Sequence, residues 1–422
     1  MSIKRKVILN TFAQLSGRGI TAASTFIVTI LIARSFGVES YGDLIKVLSY
    51  VLLFDLAVDF GLNAIIVRKL GQTKQINLLG QLFATRLVLG AAFTVISALS
   101  ALILPQAIDA PNASGFSTAV KLSIMLFSPT ILLTAIIKSC NAYFQHKLRY
   151  DRSTIATAAG GIVSLLIILI LIITKTSSLV LLTSAYLVAT ATHSAIAFYL
   201  FIKLKPKPKR LQLELSSIPP LLKQALPLGI ALVFNVAFFR IDTLLITYFR
   251  STTEVGLYGL AYKFFELPLT LPHFFMNAVF PILAGHKLVK TRSEHNFFQM
   301  IFKSGHLLFA TSIILTGVLW FAAPLIQLIK SDFIGSIQLF RILVLWLPLF
   351  FLSGLLMWAV IARGARWSLT WIYGIGLIIN LTLNIKYIPI YGATAAAYIT
   401  GITEMVILTL LLIYFIRQNN LR

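Results

Sequence analysis

The chain has a single cysteine, Cys140, in 422 residues. That scarcity excludes an internal disulfide and any cysteine-built metal site, and it leaves Cys140 as a small residue packed in a helix. Acids are also scarce: 13 Asp and Glu stand against 36 Lys and Arg, and charged residues of both signs reach only 12%. No G-x-x-x-x-G-K-[ST] phosphate loop occurs, so ATP hydrolysis by that route is excluded; H-E-x-x-H is also missing. His146, His193, His273, His286, His295 and His306 share no ligand spacing. No metal, no cofactor and no catalytic residue is expected, and the reading is not that of an enzyme.

What the chain has in excess is apolar surface. Hydrophobic residues make up 58% and the mean hydropathy is +0.90. A soluble domain of this length has nowhere to bury so much, whereas a bilayer absorbs it. Crossing a hydrocarbon core of about 30 Å takes roughly 20 residues of helix. About twelve such spans are expected, at 7–33, 42–65, 79–104, 118–144, 153–174, 179–202, 219–248, 256–284, 298–329, 333–362, 370–388 and 392–416. The first contains Arg18 and runs on to Ala33, which reads as an uncleaved helix rather than a signal peptide. The expected class is an all-α, multi-pass membrane protein.

A net charge of +23 would suggest nucleic acid in a soluble protein, but here the charge has an address. Alternate connections hold twenty-one Lys and Arg, from Lys4, Arg5 and Lys6 to Arg417 and Arg422. The other connections hold six: Arg34, Lys121, Lys175, Arg250, Lys330 and Lys386. The positive-inside bias then places both termini in the cytoplasm, and no nucleic-acid partner is needed to explain the charge. The run Lys203–Arg210, broken by Pro206 and Pro208, reads as a solvated cytoplasmic linker that touches anionic membrane lipid.

The chain also repeats itself. Tyr41-Gly42-x-x-x-Lys46 recurs as Tyr258-Gly259-x-x-x-Lys263, Pro129 matches Pro348, and Ala185-Tyr186 matches Ala397-Tyr398. All three lie at an offset of about 215 residues, or six spans, so both copies enter the membrane in the same direction. The expectation is two parallel six-helix repeats around a central cavity: lobe 1–202, basic linker 203–218, and lobe 219–422.

Seven cations fall inside the apolar segments: Arg18, Lys46, Arg86, Lys138, Arg240, Lys263 and Arg341. Such residues persist where they face protein or a wet cavity. Five acids oppose them: Asp55, Asp59, Asp242, Glu266 and Glu404. Asp55 and Asp59 share a helix face, and Lys263 and Glu266 can pair within one turn. Arg240 and Asp242, two apart, each need a partner on another helix. Arg18 lies about 17 Å into its span, too deep for easy snorkelling, and either touches cargo or pairs with Asp55 or Asp59. Arg86 and Lys138 lie near the cytoplasmic ends, where snorkelling is expected. Lys46, one turn inside the outer face, is the weakest of the seven candidates. Glu404 stands in an otherwise apolar span and is either an ion-coupling carboxylate or a helix-to-helix hydrogen bonder. Excess cations suit an anionic cargo, so Arg18, Arg86, Lys138, Arg240, Lys263 and Arg341 are the candidate substrate contacts.

Prolines are frequent inside spans: Pro129, Pro227, Pro268, Pro272, Pro281, Pro324 and Pro348. Each permits a kink, and three in the eighth span make it a candidate moving part.

The stretch Leu31-Ile-Ala-Arg-Ser-Phe-Gly-Val-Glu-Ser-Tyr-Gly42, followed by Asp55-x-x-x-Asp59-Phe-Gly61, resembles the first helices of polysaccharide-export flippases. So do Arg240-Ile-Asp242, Glu254-Val-Gly-Leu-Tyr-Gly-Leu-Ala261, Pro281-Ile-Leu, and Asn380-x-x-x-Asn384-x-x-x-Ile388-Pro389-x-Tyr391-Gly392-Ala393 with Glu404. The ordered set resembles the O-antigen (Wzx-type) branch of the multidrug/oligosaccharidyl-lipid/polysaccharide exporter superfamily. The resemblance implies a MATE-like, V-shaped bundle that moves an undecaprenyl-diphosphate-linked oligosaccharide across the bacterial inner membrane. It also implies alternating access, coupling to a proton or monovalent cation, and other polysaccharide-assembly proteins as partners. Only Arg240 is placed by a family motif; the other cations rest on charge and depth. A multidrug antiporter of the same superfamily is the alternative, but a cationic drug calls for a net acidic cavity. A membrane glycan polymerase calls for a large outer loop, and the longest connection on the outer face is about 105–117.

Overall fold

The structure is a computed structural model that describes residues 3–62, 77–107, 114–147, 149–204, 218–285, 292–364 and 366–420. Among these residues there is no strand, only an isolated bridge between Gln106 and Phe116. The helices are α1 (Ile3–Asp59), α2 (Asn77–Ser100), α3 (Thr118–Phe127), α4 (Pro129–His146), α5 (Tyr150–Ile173), α6 (Leu179–Lys203), α7 (Ile218–Phe249), α8 (Thr252–Gly285), α9 (Arg292–Ala322), α10 (Ile334–Leu345), α11 (Leu347–Arg363) and α12 (Arg366–Asn420). Among the described residues seven helical stretches, one of them α3 with α4, are long and apolar enough to cross a membrane, or up to eight if the bent pair of α10 and α11 is one span. Large apolar side chains point outward, with Ile103 85%, Ile173 78% and Phe321 77% exposed. Soluble monomers rarely present so much apolar surface, and a lipid-facing one does. The chain is a multi-pass membrane protein.

The interruptions fall at single residues where the sequence suggested longer loops. α1 breaks at Gly37 (φ 80°, ψ 179°) and α12 at Gly392 (φ 60°, ψ −145°), backbone conformations that favour glycine. The expected connections at 34–41 and 389–391 are therefore helical on both sides of one glycine. The expected span 118–144 is one span, Thr118–His146, in which α3 and α4 meet at the single turn residue Ser128, ahead of Pro129. The expected span 333–362 is bent by 46° at Trp346, ahead of Pro348. Proline suits the first turn of a helix, where its missing N–H is no loss. Pro324 opens a short 3-10 turn, Ala323–Leu328, instead of lying in an α-helix, whereas Pro227 is inside α7. Residues 205–217, within the expected linker, lie outside the described residues, as does His286.

The chain divides into two compact units, one of Met1–Pro111 with Gly115–Val233 and the other containing Phe234–Arg422. In the first, Leu82, Phe83, Cys140, Phe144, Ala197 and Phe201 form part of a dry core where α2, α4 and α6 meet. Cys140 is fully buried there, as its sequence context suggested. In the second unit, Phe238, Phe265, Phe350 and Phe351 are buried among α7, α8 and α11. There the Arg250–Glu254 pair ties the α7–α8 turn to the α12 break. Arg250 Nε donates to Glu254 Oε1 at 2.8 Å, and Glu254 Oε2 accepts from the Ala393 amide at 3.0 Å.

Candidate functional site

In the first unit each of the three candidate cations whose side chains are described, Lys46, Arg86 and Lys138, meets one acid. Lys138 on α4 reaches back to α1, where Nζ lies 2.9 Å from Asp55 Oδ2 and 2.9 Å from the Asp55 carbonyl oxygen. Arg86 on α2 pairs with Asp59, one turn further along the same face of α1. Lys46 pairs with Asp43 at 3.0 Å and donates to the Gly115 carbonyl at 3.1 Å. The expectation that Arg86 and Lys138 snorkel to the cytoplasm is overturned. Arg86 is completely buried, and both side chains turn inward because α1 presents Asp55 and Asp59 to them. Those two acids are thereby taken by Lys138 and Arg86. The side chain of Arg18 lies outside the described residues.

The second unit holds a less balanced arrangement. Arg240 on α7 donates to Glu266 Oε1 on α8 at 2.5 Å. Lys263, one turn before Glu266, stands 3.5 Å from its other oxygen. One carboxylate therefore serves two cations, all three being partly exposed. Arg341 on α10 has no carboxylate partner among the described residues. Its guanidinium lies over the Trp320 ring, 4.4 Å from the centroid, and its Nε donates to the Trp320 carbonyl at 3.3 Å. Such a cation–π contact holds the arginine in place without neutralising it.

Asp242, two residues after Arg240, points the other way as expected, into a closed polar cluster. Thr400 donates to its Oδ2 at 2.7 Å, Tyr258 to the same oxygen at 3.1 Å, and Asn384 Nδ2 to Oδ1 at 2.7 Å. Asn384 Nδ2 also reaches Asn380 Oδ1 at 3.0 Å. All five residues are nearly or wholly buried. Asn384 Oδ1 makes no hydrogen bond among the described residues. Tyr258, Thr400 and the two asparagines are not among the site residues expected from the sequence, although Tyr258 stands in the repeat motif and Asn380 and Asn384 stand in the stretch that resembles the flippases. The four-residue spacing of the asparagines puts both on one helix face.

Glu404 on α12, 4% exposed, accepts a hydrogen bond from Ser353 of α11 and has no ion-pair partner among the described residues. It borders a cavity of about 60 Å³ that Asn235, Phe239, Phe350 and Tyr373 also line. Among the described residues no group of three or more His, Cys, Asp or Glu could hold a metal ion.

The comparisons with known proteins agree with this architecture. Residues 4–287 match the family model described as polysaccharide biosynthesis protein. Among curated proteins no sequence matches at a significant level. Solved structures are similar in fold at low identity. Lipid II flippase MurJ, in an inward closed conformation, superposes with a TM-score of 0.74 at 16% identity, covering 97% of this chain and 87% of that one. An inward-facing multidrug resistance MATE family transporter of the MOP superfamily gives 0.73 at 12%, covering 96% and 97%. A MOP superfamily transporter from Pyrococcus furiosus, described as having a binding pocket of reverse polarity, gives 0.67 at 13%, covering 98% and 95%. With a family model matched over more than half its length, and with the helical fold these transporters share, the chain belongs to the polysaccharide biosynthesis protein family.

Proposed function

We propose that this protein is a flippase that carries an undecaprenyl-diphosphate-linked oligosaccharide, an O-antigen or other surface-polysaccharide repeat unit, across the bacterial inner membrane. Family membership makes surface glycan the setting. The observation that carries the reading is the sharing of Glu266 by Arg240 and Lys263, which leaves the cluster with one surplus positive charge in a partly open position. Arg341 adds a second uncompensated cation. A diphosphate needs compensation of this kind on leaving water, and arginine supplies it with directed donors. Arg18 joins these as a candidate on its depth in the sequence alone. In the first unit Arg86 and Lys138 are already paired, so they serve cargo only by exchanging partners.

The chain crosses the membrane twelve times in two six-helix repeats, with both termini cytoplasmic. The breaks at Gly37 and Gly392 support that count, because each divides one long helix into two lengths able to span. The repeat is supported by matched local geometry: Pro129 and Pro348 each open the second half of a broken helix. Transport proceeds by alternating access coupled to a proton or monovalent cation, with Asp242 and Glu404 as buried carboxyl groups that no Lys or Arg among the described residues holds. The similarity to MATE transporters keeps multidrug antiport as a second reading; the two cations on Glu266 argue against it, and the buried acids Asp242 and Glu404, bonded to neutral groups, argue for it.

The test uses cells that depend on this protein for their surface glycan. Arg240→Ala and Arg18→Ala are expected to express normally and to lower exported glycan at least about tenfold, an effect of about 1.4 kcal/mol. Undiminished export from both variants would sink the cationic mechanism.

A further inference from the structure

A second cavity lies wholly within the first unit, remote in character from the charged clusters. It holds about 180 Å³ between the first limb of α1, α5 and α6. At roughly 30 Å³ per water molecule that is space for about six waters, enough for one sugar ring and too little for a chain of them. Among the described residues no Asp, Glu, Lys or Arg lines it. The polar part of the lining is made of hydroxyls and one imidazole.

Several of those hydroxyls are unspent. Ser164, only 8% exposed, lines the cavity and makes no hydrogen bond among the described residues. The side-chain hydroxyls of Ser24, Thr25 and Tyr186 on the same wall likewise have no partner there. A buried hydroxyl without a partner costs free energy unless a ligand or water supplies one. Thr25 is exposed and marks the mouth. Val28, Ala189 and the Tyr186 ring add apolar surface to the same lining. Hydroxyls interleaved with C–H surface suit the chemistry of a pyranose.

The wall is also rigid. A Cβ at Gly160 would fall 2.9 Å from the Ala189 carbonyl oxygen and 2.9 Å from His193 Cβ, so α5 and α6 are in close backbone contact there. Thr157 and His193 bridge the same two helices at 3.3 Å. Gly161, one residue on, faces the cavity instead: a Cβ there meets only Ser24, at 3.5 Å.

We propose that this cavity is a monosaccharide subsite that receives one neutral sugar of the lipid-linked glycan, an inference that rests on the flippase reading. Ser164 and Ser24 donate to or accept from ring hydroxyls, Tyr186 lies against the C–H face, and Gly161 leaves the room.

Binding to the purified full chain in nanodiscs tests this with two probes. One is the lipid-linked repeat unit extracted from the cells that carry the protein, and the other is undecaprenyl diphosphate without sugar. The wild type is expected to prefer the glycolipid. Gly161→Leu fills the cavity and is expected to lower that preference about tenfold while binding of the bare lipid stays unchanged. Gly161→Ala fits the space and is expected to keep most of the preference. Ser164→Ala, which adds no bulk, is expected to lower it several-fold and decides the matter should Gly161→Leu fail to fold. A folded Gly161→Leu or a Ser164→Ala with full preference, or an equal loss for both lipids, overturns the subsite. A wild type that binds both lipids equally overturns the subsite and leaves diphosphate recognition standing. A wild type that binds neither overturns the flippase reading together with the subsite.

Discussion

Arg240 and Glu266 meet at 2.5 Å across α7 and α8, and the same carboxylate has Lys263 at 3.5 Å on its other oxygen. The two contacts are unequal, so they can be separated. Lys263→Met leaves the Arg240–Glu266 pair in place and removes a partly exposed contact worth about 0–1 kcal/mol. The expected result is a protein with nearly unchanged thermal stability and glycolipid transport lowered on the order of tenfold in proteoliposomes. Unchanged transport would show that the surplus charge is not used.

Arg86 and Asp59 give the contrasting case, because Arg86 is completely buried. Asp59→Asn strands that charge and is expected to cost about 3–5 kcal/mol, whereas replacing both partners by apolar residues is expected to be close to neutral. Denaturation midpoints of Asp59→Asn, Asp59→Leu, Arg86→Met and the double variant Arg86→Met/Asp59→Leu check it, the last three closing a cycle with the wild type. A double variant as unstable as Asp59→Asn would contradict this account.

How far the sequence revealed these pairs depended on where the partner lay. Lys263 and Glu266 are three residues apart, so their contact follows from helical geometry. The divergence of Arg240 and Asp242 follows from a spacing of two. Which residues they meet does not, because Glu266, Tyr258, Asn384 and Thr400 arrive through packing between helices. Arg86 and Lys138 were misjudged for the same reason: depth along a helix suggests snorkelling, but a neighbouring acid decides where the side chain turns. Membrane character was legible in composition, since apolar excess has no other outlet. The interruptions at Gly37 and Gly392 fall in or beside expected connections, but their one-residue length and the bend at Trp346 were not legible, because hydropathy averages over the one residue where a helix changes direction.

Thr400→Val removes one donor to Asp242 with little change in shape. The buried carboxylate then loses a hydrogen bond, at an expected cost of about 1–3 kcal/mol. Asp242→Asn is expected to be at least as harmful, since its amide would face the Asn384 amide. Thermal melts in detergent measure both, and a fully stable Thr400→Val would argue that the cluster is not closed as described.

Glu404→Gln keeps the volume and the contact with Ser353 but has no proton to exchange. The expected outcome is a folded protein whose transport no longer responds to an imposed pH gradient across proteoliposomes. A response equal to the wild type would remove Glu404 from the coupling step.

Gly392→Ala places a side chain at φ 60° and drives its Cβ into the Glu254 carboxylate that holds the Ala393 amide. Backbone strain alone is about 1–3 kcal/mol, and loss of the Glu254 contact adds to it. Gly317→Ala, with nothing within 4 Å of its new Cβ, is the matched control and is expected to be neutral or stabilising. Comparable melting temperatures for the two variants would remove the break at Gly392 as a structural requirement.

Cys140 lies sealed in the core formed by α2, α4 and α6, and it is the only thiol in the chain. The wild-type protein is therefore silent toward water-soluble maleimides. A single cysteine placed at Thr25 or beside Arg240 would report its own labelling rate directly, with no cysteine-free background to build first. Opening and closing of each candidate site can thus be timed during transport in an otherwise unaltered molecule.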